Sequence, residues 1–182
     1  MSRRNKIKPL KKNKNEESII MILKLFIGVL AVFSFIYSLR EFNNFTIISF
    51  VFLSFIFFLS GTIISGLRYF FRTNKIEKRL SIYDFFVPKI LIYGSICSAL
   101  FFLTNNYFST DKQYVITSLI FEKHKAYRSS PIYIITEIKG VKREINIHDY
   151  NFEELQGVNN IQITMKNGFW GFQIIKEIKL KK

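Results

Sequence analysis

The residues of this chain that could do chemistry are few, and the densest group is a basic loop with one aromatic side chain. The group consists of Lys123, His124, Lys125, Tyr127 and Arg128. Cations interleaved with an aromatic ring can bind phosphate groups or single-stranded nucleic acid, or the headgroups of anionic lipids. A solvated basic loop accounts for the same pattern. We therefore treat these five residues, together with Trp170 further along the chain, as a candidate ligand or partner surface, with nucleic acid the least favoured partner.

Two patterns elsewhere have catalytic counterparts in other proteins. Arg143 and His148 have the Arg-x4-His spacing that some helical ribonucleases use at a dimer interface, but here the alternating pattern predicts a strand. His148 beside Asp149 could form an oriented base, yet the sequence places no nucleophile near it. We expect no catalytic residue and no enzymatic activity.

Cofactor and metal chemistry also lack a signature. The chain has one cysteine, Cys97, so no intrachain disulfide can form. A metal site needs several Cys, His or carboxylate ligands at close spacing, and the sequence has no such cluster. We expect neither a metal nor a cofactor.

Three long apolar stretches dominate the chain, at Ser18–Leu39, Phe45–Leu67 and Phe85–Phe108. Crossing the ~30 Å hydrocarbon core of a bilayer takes about 20 helical residues, so each stretch can form a transmembrane helix. None carries an ionisable group near its midpoint, which disfavours a transporter or pump. The sequence predicts a multi-pass integral membrane protein.

Lysine and arginine alternate between rich and poor segments. Seven precede the first apolar stretch, one lies in the first connection and five lie in the second. By the positive-inside rule this order places the N-terminus and the second connection in the cytoplasm. Three spans then put the C-terminal domain outside the cytoplasm, at the cell inner membrane. A re-entrant third stretch would instead put that domain inside. We expect the basic N-terminal tail to bind anionic lipid headgroups.

Small residues recur four positions apart in the apolar stretches, as at Ser34 and Ser38, Gly61 and Ser65, and Gly94 and Ser98. Small faces let helices approach closely in lipid. Packing among the three helices of one chain is the favoured interpretation, and a homo-oligomeric bundle is the alternative.

From residue 112 onward the pattern changes to alternation of apolar and polar residues, which predicts β-strands. Five strands are expected, with a hairpin at Lys139-Gly140, a helical turn near Phe152 and a type I′ turn at Asn167-Gly168. Five strands in about 70 residues suggest a small antiparallel barrel or rolled sheet. Trp170, next to the last turn, is either a core residue or an exposed tip that contacts a partner or the bilayer.

The sequence thus predicts an α+β membrane protein with a basic cytoplasmic tail (1–17), a transmembrane domain (18–108) and a water-facing, five-stranded β domain (109–182). The layout is similar to that of membrane proteins that carry an oligonucleotide-binding-type barrel outside their helices. We expect a non-enzymatic scaffold or interaction protein with an unknown protein partner. The alternative is a membrane effector that resembles certain bacterial antiviral effectors. In it, the β domain would sense a small anionic ligand and the helices would oligomerise to permeabilise the membrane.

Overall fold

A computed structural model of the chain describes residues 14–71, 81–125, 131–138, 140–147 and 150–181. Four helices are present in these ranges: α1 (Lys14–Asn44), α2 (Phe50–Phe70), α3 (Ile82–Tyr107) and α4 (Phe152–Leu155). Six strands accompany them: β1 (Thr46–Ile47), β2 (Gln113–His124), β3 (Tyr133–Ile138), β4 (Val141–Asn146), β5 (Asn160–Asn167) and β6 (Gln173–Lys181).

Helices α1, α2 and α3 are each long and apolar enough to cross a membrane, with spans of 27, 21 and 26 residues. Two serines set the starts of α2 and α3: the side chain of Ser49 accepts a hydrogen bond from the amide of Phe52, and that of Ser81 from the amide of Asp84. Such N-caps satisfy donors that have no partner inside the helix. Helix α3 therefore begins at Ile82, three residues before the predicted stretch, and Pro88 lies in its second turn.

The three long helices form a bundle in which α3 packs against both α1 and α2. Gly61 on α2 faces the backbone of Ile90, and Gly94 on α3 faces the backbone of Phe57; a Cβ atom at either glycine would lie 2.7 Å from a carbonyl oxygen. These two glycines permit the close approach of α2 and α3. Packing within one chain thus accounts for the small residues at these positions.

The strands form one antiparallel sheet with the order β1-β6-β5-β2-β3-β4, curled into a half-barrel. The expectation of five strands was wrong by one. The extra strand, β1, comes from the connection between α1 and α2, and its Thr46 and Ile47 pair with Ile174 and Gln173 of β6. The hydropathy pattern assigned the residues of β1 to the second span. A strand buried in protein and a helix buried in lipid are equally apolar, so hydropathy does not distinguish them.

Strand β1 joins two hydrophobic cores. Ile47 belongs to the core of the β domain, with Ile134, Ile161 and Ile163 among its buried members. Ile48, the next residue, belongs to a core at the end of the helical bundle. Because successive side chains of an extended chain point in opposite directions, β1 and the residue that follows it can contribute to both cores.

The turn at Asn167-Gly168 is not the predicted type I′ hairpin. Asn167 pairs with Gln173, which leaves a five-residue loop, residues 168–172, between β5 and β6. The left-handed backbone conformation falls on Gly171 (φ 83°) instead. Gly168 is pressed against the side chain of Asn105, so that a Cβ atom at this position would displace Asn105. Contact with α3 thus determines the shape of this loop, where local propensity alone favoured a tighter turn.

The β domain sits at the end of the bundle that carries the α1–α2 connection, because β1 belongs to that connection. With α3 continuous from Ile82 to Tyr107, the domain and the first connection lie on one side of the three apolar helices. Most of the basic tail, residues 72–80 of the second connection, and Lys139 of the predicted hairpin lie outside the described residues.

Candidate functional site

The basic residues predicted as a ligand or partner surface lie at the end of β2. Lys123 pairs with Ile134 and His124 with Tyr133 of β3, and Lys125 follows the strand. The His124 ring stacks on Tyr133 with centroids 4.5 Å apart, and its Nε2 lies 3.1 Å from Oε2 of Glu122. These contacts engage His124 within the sheet. Tyr127 and Arg128 lie outside the described residues.

Trp170 lies at the opposite end of the sheet, where the β5–β6 loop docks on α3. Its indole Nε1 donates a hydrogen bond of 2.9 Å to Oγ1 of Thr104, and its ring stacks on Phe101 with centroids 6.3 Å apart. The side chain is about half exposed and belongs to neither core. Of the two alternatives for Trp170, the exposed tip describes its position better than a core residue does.

Asn105 holds this loop to the bundle. Its side-chain Oδ1 accepts a hydrogen bond from the amide of Trp170 at 3.1 Å, and its backbone oxygen accepts one from Phe169 at 3.1 Å. Asn105 is fully buried, which makes these bonds costly to lose. Nothing in the sequence singled out this asparagine, because an Asn near the end of a span is ordinarily an interfacial residue.

The described members of the predicted surface do not lie together. The β5–β6 loop follows Asn167, next to the start of β2, whereas Lys123, His124 and Lys125 lie at its far end. Ten residues of strand separate Gln113 from Lys123, a length of about 30 Å. A single ligand of ordinary size cannot contact both groups.

Arg143, the first residue of the Arg-x4-His pattern, has a structural role. Its guanidinium donates hydrogen bonds to the backbone oxygens of Ile48 at 3.2 Å, Phe42 at 2.6 Å and Thr46. Burial lowers the pKa of Arg143 from its ordinary value. The side chain remains charged at neutral pH. His148 and Asp149 lie outside the described residues.

The outer face of β2 carries a row of exposed apolar side chains. Val115, Leu119 and Phe121 are 59%, 55% and 49% exposed. Phe121 sits at a β-bulge, since the pairing with β3 passes from Ile120 directly to Glu122. We call these three residues the β2 apolar row.

Strands β1 and β4 are the two edges of the sheet. Because β1 is only two residues long, it covers little of β6, and a gap remains between β4 and β6 that we call the seam. A cavity of about 280 Å³ opens there, between the last turns of α1, the end of β4 and β6. Its polar lining residues are Arg40, Asn44, Asn146, Tyr150 and Lys176. Its floor is apolar and includes Ile147 and Ile175. We call this space the seam cavity. The sequence did not predict the seam cavity, because its two cations, Arg40 and Lys176, lie far apart in the chain.

In the described part of the chain, no group of three His, Cys, Asp or Glu side chains could hold a metal ion. Comparison with protein-family models, with curated proteins and with solved structures finds no match to the chain. The functional argument therefore rests on the geometry of the β2 apolar row and of the seam cavity.

Proposed function

We propose that this chain is a non-enzymatic membrane scaffold or interaction protein, which presents its β domain at the membrane surface to a protein partner. The observation that carries the proposal is the β2 apolar row. Three apolar side chains about half exposed on one strand are typical of a surface that another protein covers. Lys123 and Lys125, at the end of the same strand, would form the polar rim of that surface.

Three separate links between the domain and the bundle support this role. Strand β1 pairs with β6, Arg143 bonds the end of α1, and Asn105 bonds the β5–β6 loop. A domain held by three links keeps one orientation relative to the bilayer. A partner bound to the apolar row would then be positioned relative to the membrane as well.

The loop charges support a location at the cell inner membrane with the β domain outside the cytoplasm. A C-terminal reporter pair tests this, with one reporter active only outside the cytoplasm and the other only inside. Activity of the outside reporter is the expected result. Activity of the inside reporter would contradict the proposed orientation.

A photo-crosslinking residue at position 119 tests the interaction role in intact cells. A discrete adduct is expected, and introducing Val115→Glu into the same chain should abolish it. The matched control carries the photo-crosslinker at Lys179, an exposed position on β6. An adduct with a second copy of the chain would show that the partner is the same protein, in a homo-oligomer. Equal labelling at positions 119 and 179, or none at either, would remove the support for the proposal.

The sensor–effector alternative gains one observation from the structure. The seam cavity is lined by Arg40 and Lys176, which favours an anionic ligand. This alternative requires the β domain to face the cytoplasm, so the reporter pair also separates the two functions.

A further inference from the structure

The seam cavity concentrates positive charge. Arg40 and Lys176 both line it, and none of the described residues that line it is a carboxylate. Glu41, the neighbour of Arg40, is buried and accepts a hydrogen bond from Nδ2 of Asn106 at 2.7 Å. That carboxylate is therefore engaged within the bundle and does not line the cavity.

A β-bulge places Lys176 at the cavity. In the pairing of β5 with β6, Thr164 lies opposite Glu177 and Met165 lies opposite Ile175, so Lys176 has no partner. A bulge of this kind changes the direction of the side chain relative to its strand neighbours. Ile175 and Ile178, on either side of the bulge, line the same cavity.

The lysine also sits in an unfavourable environment. Partial burial lowers the pKa of Lys176 most and repulsion from Lys166 lowers it further, while attraction to Glu41 raises it by less. Keeping like charges close costs stability when nothing neutralises them. A bound anion would offset that cost.

Hydrogen-bond donors accompany the cations. The side-chain oxygen of Asn44 accepts a bond of 2.8 Å from Nδ2 of Asn146, which leaves the amide nitrogen of Asn44 as a donor at the cavity. Tyr150 also lines the cavity, and its side chain carries a hydroxyl donor. Cations combined with neutral donors match the oxygens of a phosphate group.

The cavity lies at the end of the apolar helix α1, next to a strip of exposed apolar side chains, where a lipid headgroup is expected. Ile36 and Phe33 are four and seven residues before Arg40, so they share its face of α1. They are 56% and 66% exposed, as side chains that face lipid are expected to be. At the same end of the bundle, Trp170 and Tyr107 are exposed aromatic side chains of the kind that mark the membrane interface.

We propose that the seam cavity binds the phosphate of an anionic phospholipid, with Arg40 and Lys176 pairing with phosphate oxygens, Asn44 and Tyr150 donating hydrogen bonds, and the acyl chains lying along Ile36 and Phe33. The cavity volume of about 280 Å³ suits a headgroup and little more. The site is independent of the β2 apolar row and of the proposed scaffold function.

The test uses the full chain in nanodiscs of phosphatidylcholine with a minor fraction of phosphatidylglycerol. Native mass spectrometry of the released protein counts the lipids that stay bound. The wild-type protein is expected to retain phosphatidylglycerol in preference to phosphatidylcholine. Arg40→Gln with Lys176→Gln should lower that preference about thirtyfold, since each cation near an anionic lipid contributes about 1 kcal/mol. The conservative pair Arg40→Lys with Lys176→Arg should retain most of it, and thermal unfolding of each variant checks that it is folded.

The matched control is Lys179→Gln with Lys181→Gln, which removes the same charge from exposed positions of β6 that do not line the cavity. It should leave the preference unchanged. Equal retention by the wild type and the Arg40/Lys176 variant would overturn the proposal, as would a loss confined to the control. In a second arm, glycerol phosphate is titrated into nanodiscs of phosphatidylcholine, first alone and then with the minor fraction of phosphatidylglycerol. Saturable binding that competes with phosphatidylglycerol would overturn the lipid assignment and identify the ligand as a soluble phosphate.

Discussion

The guanidinium of Arg143 lies 2.6 Å from the carbonyl oxygen of Phe42 and 4.8 Å from the centre of the Phe42 ring. It also donates to Thr46 and Ile48, so one side chain of β4 satisfies carbonyl groups along the chain that leads from α1 into β1. Strands β4 and β1 are the two edges of the sheet. Arg143 therefore closes the half-barrel through its side chain at the point where no backbone ladder forms.

Replacement of Arg143 by Met should lower the free energy of unfolding by about 2–4 kcal/mol, because buried carbonyl groups lose a charged donor. Arg143→Lys should recover only part of this loss, since an ammonium cannot reproduce the planar set of donors. Chemical unfolding in detergent measures both. Lys142→Met, an exposed neighbour, is the control and should cost less than about 0.5 kcal/mol. Equal stability of the Arg143→Met and Lys142→Met variants would refute the closing role.

The three long apolar helices and most of the strands could be predicted from the sequence because each has a hydropathy pattern of its own. Twenty apolar residues indicate a span, and alternation such as that of Ile161, Ile163 and Met165 indicates a strand with one buried face. Strand β1 has only two residues and no room for a pattern. Its existence depends on the pairing of Thr46 with Ile174, which only the folded chain brings together.

Asn105 should control the environment of Trp170, which is the only tryptophan of the chain and thus a specific fluorescent reporter. Asn105→Ala removes the side-chain bond to the amide of Trp170 and should cost about 1–3 kcal/mol. We expect a red-shifted tryptophan emission and greater quenching by acrylamide. Thr104→Val removes the bond from the indole nitrogen and the hydroxyl's own bonds to the carbonyl oxygens of Leu100 and Phe101, but it keeps the Asn105 bond to the loop backbone, so it should have the smaller effect on the loop. An unchanged spectrum in the Asn105→Ala variant would show that the loop does not depend on this residue.

The candidate site was harder to predict than the fold. The basic residues Lys123 and Lys125 are visible in the sequence because they are neighbours, yet the strand separates them from Trp170. Arg40 and Lys176 showed no relationship in the sequence, because a cavity between distant elements follows from the curl of the sheet. The β-bulge that places Lys176 there also leaves no local signal.

Ile47 and Ile48 should report on different cores although they are adjacent. An Ile→Ala change at a buried site costs about 2–5 kcal/mol. Ile47→Ala should speed hydrogen exchange in β5 and β6, since Ile47 packs in the core of the β domain. Ile48→Ala should instead affect the start of α2 and the end of α3, where Leu53 and Phe102 pack with it. The same exchange pattern in both variants would mean that the two cores unfold as one unit.

Lys176 should lower the stability of the protein when no anion is bound and favour the binding of an anion. Partial burial and Lys166 hold its pKa below the ordinary 10.5, so near neutral pH the charged lysine is less favourable in the folded than in the unfolded chain. Lys176→Met should therefore stabilise the protein at pH 7 in neutral lipid, by no more than about 0.5 kcal/mol because the side chain is largely exposed to solvent.

The pH dependence follows from the same shift. Between the lowered pKa and 10.5 the unfolded chain binds more protons, so the stability of the wild type should rise as pH increases through this range. The groups around Lys176 are Lys166 on β5, Arg40 and Glu41 on α1, and Tyr150 at the cavity. The advantage of Lys176→Met should shrink as pH approaches 10.5.

Thermal unfolding in nanodiscs of phosphatidylcholine, with and without phosphatidylglycerol, compares the stability of the wild type with that of Lys176→Met. A bound anion favours the charged lysine, so in phosphatidylglycerol the wild type should become the more stable of the two proteins. Lys181→Met, an exposed position further along β6, is the control and should show no reversal between the lipids. If Lys176→Met keeps its advantage in phosphatidylglycerol, the lysine destabilises the fold without an anion to compensate for it.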